Sequence, residues 1–380
     1  MSKIIIQNGN MCELDLPLKF AQKLYNEFAI RHPNAFYLRT RQRGMQNWDG
    51  KIHYITKTGQ FKIGLLPKVY DMCIEMGIKP KVVDMRQPLP KVSKVVTNIG
   101  KYKLRPEQEK AVKAVINNKI GNTPFHIGVL DYTVNAGKTL IMSSLYLSYK
   151  KQLKTLLITN DSDWLNQARE EFKQYLPGED ITFVQGKVLN WSNFTIGMVQ
   201  SISRNMRFYQ KELSQIDMVL VDEADQGGSK QYQNVITRLF NTRIRIGLSG
   251  TIYMSKLAKD RVKNMNLECF FGKVIAEFKL KDSIKKGYST KTVVKMVPGK
   301  PWYGNWESDC ISYKEIYDDS ITNCYTAWLM AYNRLLWNLN QGRYPALVVC
   351  KHIAHCENLY KFFKKKLGDA YNIAYVHVNT

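Results

Sequence analysis

Three short stretches of the chain hold the residue types that chemistry on phosphates requires. The first runs from Asp131 to Thr139, after an apolar run over 125–130. A loop that leaves a strand and opens a helix aims backbone N–H groups at an anion. Val134, Asn135, Ala136 and Gly137 supply that backbone, Gly137 because it must approach closely. Lys138 reaches terminal phosphates, and Thr139 offers a hydroxyl to Mg²⁺. The complete phosphate-loop pattern has a glycine five positions before Gly137, where this chain has Tyr132. A Gly-Lys-Thr ending alone also occurs at ordinary helix N-termini. The second stretch, 216–225, is an apolar run ending in Asp222, Glu223 and Asp225. Asp222 at a strand end suits Mg²⁺, and Glu223 beside it can orient and deprotonate an attacking water. The third, 244–251, ends in Ser249, Gly250 and Thr251. Alone it is an ordinary turn. Third in this order, its hydroxyls can bond the acids of the preceding strand end and sense a phosphate.

These residues need a frame, and the texture of 101–290 provides one. Apolar strand-length runs alternate with amphipathic helical patterns, the rhythm of a mainly parallel sheet covered on both faces. A second series of this kind begins at 346–352. Residues 16–32 have apolar positions at helical spacing, and 50–66 reads as two short strands around Thr58-Gly59. Residues 86–100 carry two prolines and little periodicity, which reads as a linker. The expected divisions are 1–90, a small α+β domain; 91–290, an α/β domain with a mainly parallel sheet; and 291–380, a linker and the start of a second α/β domain.

The chain has 380 residues and a net charge of +24, with a pI near 9.6. Charge of this size favours a polyanionic partner, because phosphates neutralised by Lys and Arg release their counterions. The first 100 residues hold 16 Lys/Arg against 7 Asp/Glu. Within them Arg39, Arg41 and Arg43 alternate, so on a strand they would share one face, and Trp48 and Lys51 lie close by. They are expected to hold a duplex backbone, with Trp48 as an aromatic wedge. No apolar run is long enough for a membrane span, and the N-terminus lacks a signal-peptide core. Seven scattered cysteines without a CxxC pair fit a reducing compartment and argue against structural zinc. A cytoplasmic location is expected. His352 and His355 lack an acid or cysteine to complete a metal site and read as structural.

In order and spacing the three stretches resemble motifs I, II and III of superfamily 2 helicases, motif II being the DEAD/DEAH box. That resemblance implies a RecA-like motor that uses ATP and Mg²⁺. It assigns the adenine-reading segment to 102–112, with Arg105 and Gln108. It assigns the grip on a nucleic-acid backbone to Thr159 and Asn160 and to Gln200 and Ser201. The stretch 47–73 is similar to the N-terminal domain of UvsW-type phage recombination helicases, and 350–363 to the start of their second motor domain. The implied partner is double-stranded, forked or branched DNA, remodelled or branch-migrated in recombination, replication and repair. Motifs V and VI have no counterpart, so a truncated second motor domain is expected; the Gln-Gly-Arg at 341–343 precedes that domain's first strand and reads as a loop. A translocating subunit of a restriction or repair complex, an RNA helicase and a non-hydrolysing DNA-binding module stay open. Polarity, preferred junction, oligomeric state and protein partners are not encoded in any motif.

Overall fold

The chain divides into two compact units, Met1–Lys291 and Thr292–Thr380. The computed structural model describes residues 2–42, 44–149, 152–186, 188–252, 260–291, 312–343 and 345–376.

The first unit opens with a small α/β layer. Strands β1 (Lys3–Ile6) and β2 (Met11–Asp15) pair as an antiparallel hairpin, and their alternation buries Ile4, Ile6, Cys12 and Leu14. Helix α1 (Leu18–Glu27), strand β3 (Ala29–Arg31), helix α2 (Ala35–Arg41) and strand β4 (Lys51–His53) follow. Strand β5 (Gln60–Lys62), helix α3 (Leu66–Glu75) and strand β6 (Lys81–Asp84) complete the layer. The sheet order is β5-β2-β1-β6, with β6 parallel to β1.

Two expectations change here. The run 50–66 does hold two strands, but β4 pairs with β3 while β5 pairs with β2. Arg39 and Arg41 sit on a helix, not a strand. The inward residues of that segment are Ala35 and Leu38, three apart, which is helical spacing. Residues two apart on a helix lie about 200° apart around its axis, so these arginines do not share a face. Arg43 lies outside the described residues.

The main layer begins with a two-strand ladder, β7 (Asn98–Ile99) and β8 (Tyr102–Lys103), and helix α4 (Pro106–Ile116). A second small ladder, β9 (Lys119–Ile120) with β10 (Thr123–Pro124), leads into β11 (His126–Tyr132). Then come α5 (Lys138–Ser148), β12 (Thr155–Thr159), α6 (Ser162–Tyr175), β13 (Ile181–Gln185), β14 (Val188–Leu189) and β15 (Phe194–Met198). Helices α7 (Val199–Arg204) and α8 (Gln210–Ser214) precede β16 (Met218–Asp222). Helix α9 (Lys230–Ile236), β17 (Ile244–Ser249), α10 (Arg261–Phe271), β18 (Val274–Phe278) and α11 (Leu280–Lys285) close the unit. The sheet order is β14-β13-β15-β12-β16-β17-β11-β18; seven strands run parallel and β14 is an antiparallel edge. Every residue of β11, β12, β16 and β17 is buried, as parallel strands covered on both faces require.

Packing runs across the division expected near residue 90. Ile4, Ile6, Phe61 and Leu65 share one core with Ile127, Val129, Leu267 and Phe271. Gly64 makes the approach close: a Cβ there would overlap the backbone of Glu268 and Cys269. Arg245 of β17 is fully buried beneath the β1–β2 turn. Its Nη2 donates to Gly9 O (2.6 Å) and Asn10 Oδ1 (2.8 Å), and its Nη1 to Phe270 O (3.2 Å). Burial pulls its guanidinium down to about 9, so it stays charged at neutral pH. The segment 86–100 lies along the main layer instead of crossing solvent. Val96 N donates to Ser148 Oγ (3.0 Å), Ser144 Oγ donates to Val96 O (2.6 Å), and Val92 and Val95 pack on the core.

The second unit holds α12 (Tyr313–Tyr317), a π-helical turn at Asp318–Thr322, α13 (Tyr325–Asn340) and α14 (Ile353–Leu367). Leu359, Phe362 and Phe363 pack against Trp328, Tyr332 and Leu335. The expected strand at 346–352 has no ladder partner among the described residues, and a strand is defined by the partners of its N–H and C=O groups. The Gln-Gly-Arg sequence forms the turn after α13, where Arg343 N donates to Asn338 O. Among the described residues, no helix is long and apolar enough to cross a membrane.

Candidate active site

Parallel strands end at one edge of their sheet, and ligands of such sheets bind outside those carboxyl ends. Five strands bring the sequence-selected residues there. The loop 133–137 follows β11, Asn160 follows β12, Gln200 and Ser201 follow β15, Asp222 ends β16, and Ser249 ends β17.

The loop 133–137 is shaped by two left-handed residues, Asn135 (φ 64°) and Gly137 (φ 73°). Asparagine tolerates this conformation better than most residues do, and glycine adopts it freely. A Cβ at Gly137 would also overlap Gln108 Nε2. Gln108 is buried: its Nε2 donates to Ala136 O (2.9 Å) and its Oε1 accepts from Arg105 N (2.8 Å). In this arrangement Gln108 braces the loop, with both ends of its amide engaged. Arg105 lies over the Tyr288 ring at 4.2 Å. Val134 is exposed, Ala136 is buried, and Thr139 is half-buried one residue into α5.

Lys138, the first residue of α5, points at the acids of β16. Its Nζ lies 3.3 Å from Asp222 Oδ1 and 3.1 Å from Glu223 Oε1. Burial lowers the affinity of Lys138 for its proton, but the charges of Asp222 and Glu223 outweigh it and hold the ammonium above its usual range. Burial also lifts the Asp222 carboxyl above the ordinary range, with Lys138 pulling the other way. Asp222 Oδ1 is buried, with the ion pair to Lys138 but no hydrogen-bond donor of its own. Glu223 is half-exposed and holds φ 49°, ψ 53°. Asn135 and Glu223 are the two non-glycine residues with left-handed backbone among those described, and both line this edge. Non-glycine residues in that region cost energy and gather at functional sites. Ser249 Oγ donates to Asp225 Oδ1 (3.1 Å) and accepts from Thr251 N (3.1 Å), so the turn after β17 is tied to the acids after β16. Gly250 packs against the backbone of Tyr132 and Thr133.

Two strands further along the edge, Gln200 Nε2 donates to Asn160 O (3.2 Å), joining the ends of β12 and β15. Thr159 is buried, and its Oγ1 accepts from Asp161 N (3.2 Å). Ser201 Oγ accepts from Gly186 N (2.9 Å). Thr159 and Ser201 therefore shape the edge, while Asn160 and Gln200 stand nearer its surface.

A family profile described as "Type III restriction enzyme, res subunit" matches residues 101–254. The ATP-dependent DNA helicase uvsW of Enterobacteria phage T4 is 20% identical over 372 residues, which is 86% of this chain and 66% of that protein. The chain thus spans slightly under two thirds of that relative. Two crystal structures of T4 UvsW match with TM-scores of 0.58 and 0.56, at 20% and 18% identity. They cover 73% and 96% of this chain and 99% and 73% of their own. The chain shares the fold of the two T4 UvsW structures.

The N-terminal residues selected from the sequence lie on α2, on β4 and in the segment between them. Arg39 and Arg41 are exposed on α2, and Arg41 stacks over Tyr37 at 5.2 Å. Lys51 is exposed on β4. Trp48 is not a free wedge: it is half-buried, lies edge-on to His32, and its Nε1 donates to Lys51 O (2.9 Å). Sequence reasoning missed Arg245, although a charge inside an apolar parallel strand signals that partners must be found. It also missed Asp131 at the end of β11, a buried acid paired with Lys279.

Proposed function

We propose that this chain is an ATP-driven DNA motor that remodels or branch-migrates duplex, forked and branched DNA. The observation that carries the reading is the convergence of Lys138, Asp222 and Glu223 at the end of a parallel sheet, beside a left-handed loop that opens a helix. The loop's backbone N–H groups and Lys138 bind the phosphates of ATP. Asp222 and Thr139 suit Mg²⁺: the buried, undonated Oδ1 of Asp222 is an acceptor that a cation would satisfy. When bound, that ion neutralises charge developing on the transferred phosphoryl group. Lys138 is already engaged by two carboxylates, so a phosphate that takes the lysine releases Glu223. The freed carboxylate orients a water and accepts its proton. Asp225, two residues on, passes any shift of this turn to Ser249 and so to β17. The net charge of +24 and the basic N-terminal layer support a nucleic-acid track, and the named relative is a DNA helicase.

The test is ATP hydrolysis with and without forked DNA, in the parent and in Glu223→Gln. The variant is expected to bind a fluorescent ATP analogue normally and to hydrolyse ATP about 10²–10⁴-fold more slowly. Normal turnover by Glu223→Gln would remove Glu223 as the base. A second reading, the translocating subunit of a restriction complex, draws on the profile match at 101–254. ATP-dependent translocation on plain duplex without any fork preference would favour it.

A further inference from the structure

The excursion between β3 and β4 encloses a cavity of about 370 Å³, lined by Arg31, Phe36, Arg39, Thr40, Gln46 and Asp49 over a floor of Ala35 and Gly50. That volume lies within the ~300–1,000 Å³ range of small-ligand clefts. Its floor is formed by small residues: a Cβ at Gly50, which has φ 79°, would come within 3.2 Å of the Ala35 Cβ. Its charge is unbalanced. Among the described residues neither Arg31 nor Arg39 has an acidic partner. The one acid in the lining, Asp49, is taken by His53 Nε2 (2.7 Å) and Lys51 N (2.9 Å). The ladder register also sets Arg31 directly opposite Lys51. Like charges facing across a ladder cost stability, a cost that a bound anion relieves. Beside these cations Phe36 is 80% exposed, on a helix where neighbouring Ala35 is buried. A flat apolar ring next to two uncompensated guanidinium groups matches a nucleotide, whose base stacks and whose phosphate pairs.

We infer that this cavity captures one unpaired nucleotide of DNA, the base against Phe36 and its phosphate between Arg31 and Arg39. The inference rests on the DNA reading above and adds to it: the N-terminal arm recognises the point where a duplex opens, not the duplex alone. Arg39 then acts with Arg31 and Phe36 instead of along a strand with Arg41.

The experiment uses the full chain and three DNAs of equal length: a blunt duplex, a fork, and a duplex with a short single-stranded overhang. The fork and the overhang carry 2-aminopurine at the first unpaired position. The parent is expected to bind fork and overhang more tightly than blunt duplex and to quench the 2-aminopurine. Phe36→Ala is expected to lose that quench and to weaken fork binding about five- to a hundredfold, the usual range for one stacked base. Its affinity for blunt duplex should stay unchanged. Arg31→Ala and Arg39→Ala should each weaken fork binding more than blunt-duplex binding. Phe36 is exposed, so its removal leaves the fold intact, which circular dichroism checks. Equal fork affinity and equal quench in Phe36→Ala and parent would overturn the pocket while leaving the DNA reading standing. A parent that binds none of the three DNAs would overturn both.

Discussion

Lys138 pairs with the buried Asp222 carboxyl and pulls against the rise that burial imposes on it, so this lysine is a structural residue whatever binds at the site. Removing it leaves a buried charge without its cation. The consequence depends on pH. Burial already raises the folded-state affinity of Asp222 for a proton above that of the unfolded chain. A group shifted this way contributes stability that is present at low pH and is lost as pH rises through its folded value. Lys138→Ala removes the opposing pull, so the rise grows. The melting temperature of Lys138→Ala should therefore fall further below the parent at pH 8 than at pH 5. Adding Asp222→Asn should remove most of that difference without restoring ATP binding. A melting difference that is flat with pH would mean that Asp222 is not charged in the parent. These residues were legible in the sequence because the chemistry fixes their types and order. Gln108 was only half legible: its segment could be found, but its bracing of Ala136 O depends on how the loop folds back.

At the level of elements, the N-terminal layer and the motor sheet are joined by a cation that has no acid. Arg245 reaches two backbone carbonyls and one side-chain amide, and the planar guanidinium fork suits such a set. Arg245→Met keeps much of the volume but leaves those acceptors buried and undonated. Each is worth about 1–3 kcal/mol, partly offset by the charge no longer buried. A net destabilisation of about 2–4 kcal/mol in urea unfolding is expected, and Arg245→Lys should recover only part of it. An unchanged urea midpoint for Arg245→Met would show that the two layers hold without it. Deleting residues 1–90 should expose Ile127, Val129 and Phe271, so it would destabilise the parallel sheet whatever the chain binds. Packing of this kind was not legible in the sequence. The proline-bearing run 86–100 has the composition of a linker, and only the tertiary fold shows Ile99 buried and its valines packed half-buried against the core. The arginine alternation misled for a related reason: the pair Ala35 and Leu38 carried the period, and the charges did not.

For the whole molecule, electrostatics should dominate the grip on DNA. Arg39, Arg41 and Lys51 are exposed cations on one short stretch of chain. Removing one cation from a phosphate flattens the dependence of log K on log salt by about 0.9 on duplex DNA. Changing all three to Ala should reduce that slope by up to about 2.7 and weaken binding to every sequence alike. ATP affinity should be unaffected. Fluorescence anisotropy across a salt series measures both quantities, and an unchanged slope would assign the DNA grip to the motor layer alone. The charge itself was legible from composition. Its placement on α2 and β4, at Arg39, Arg41 and Lys51, needed the fold.

The shared core of the first unit has a mechanical meaning. A flexible tether lets a bound strand lag behind a moving engine, and slack absorbs each stroke. Here Gly64 presses backbone against backbone, Arg245 rivets the β1–β2 turn to the sheet, and the run 86–100 is fastened along its length. The N-terminal sheet has no slack. Any rotation of the eight-stranded sheet carries the N-terminal sheet through the same angle, so on the proposed reading a stroke begun at Lys138 and Asp222 reaches the N-terminal layer undamped.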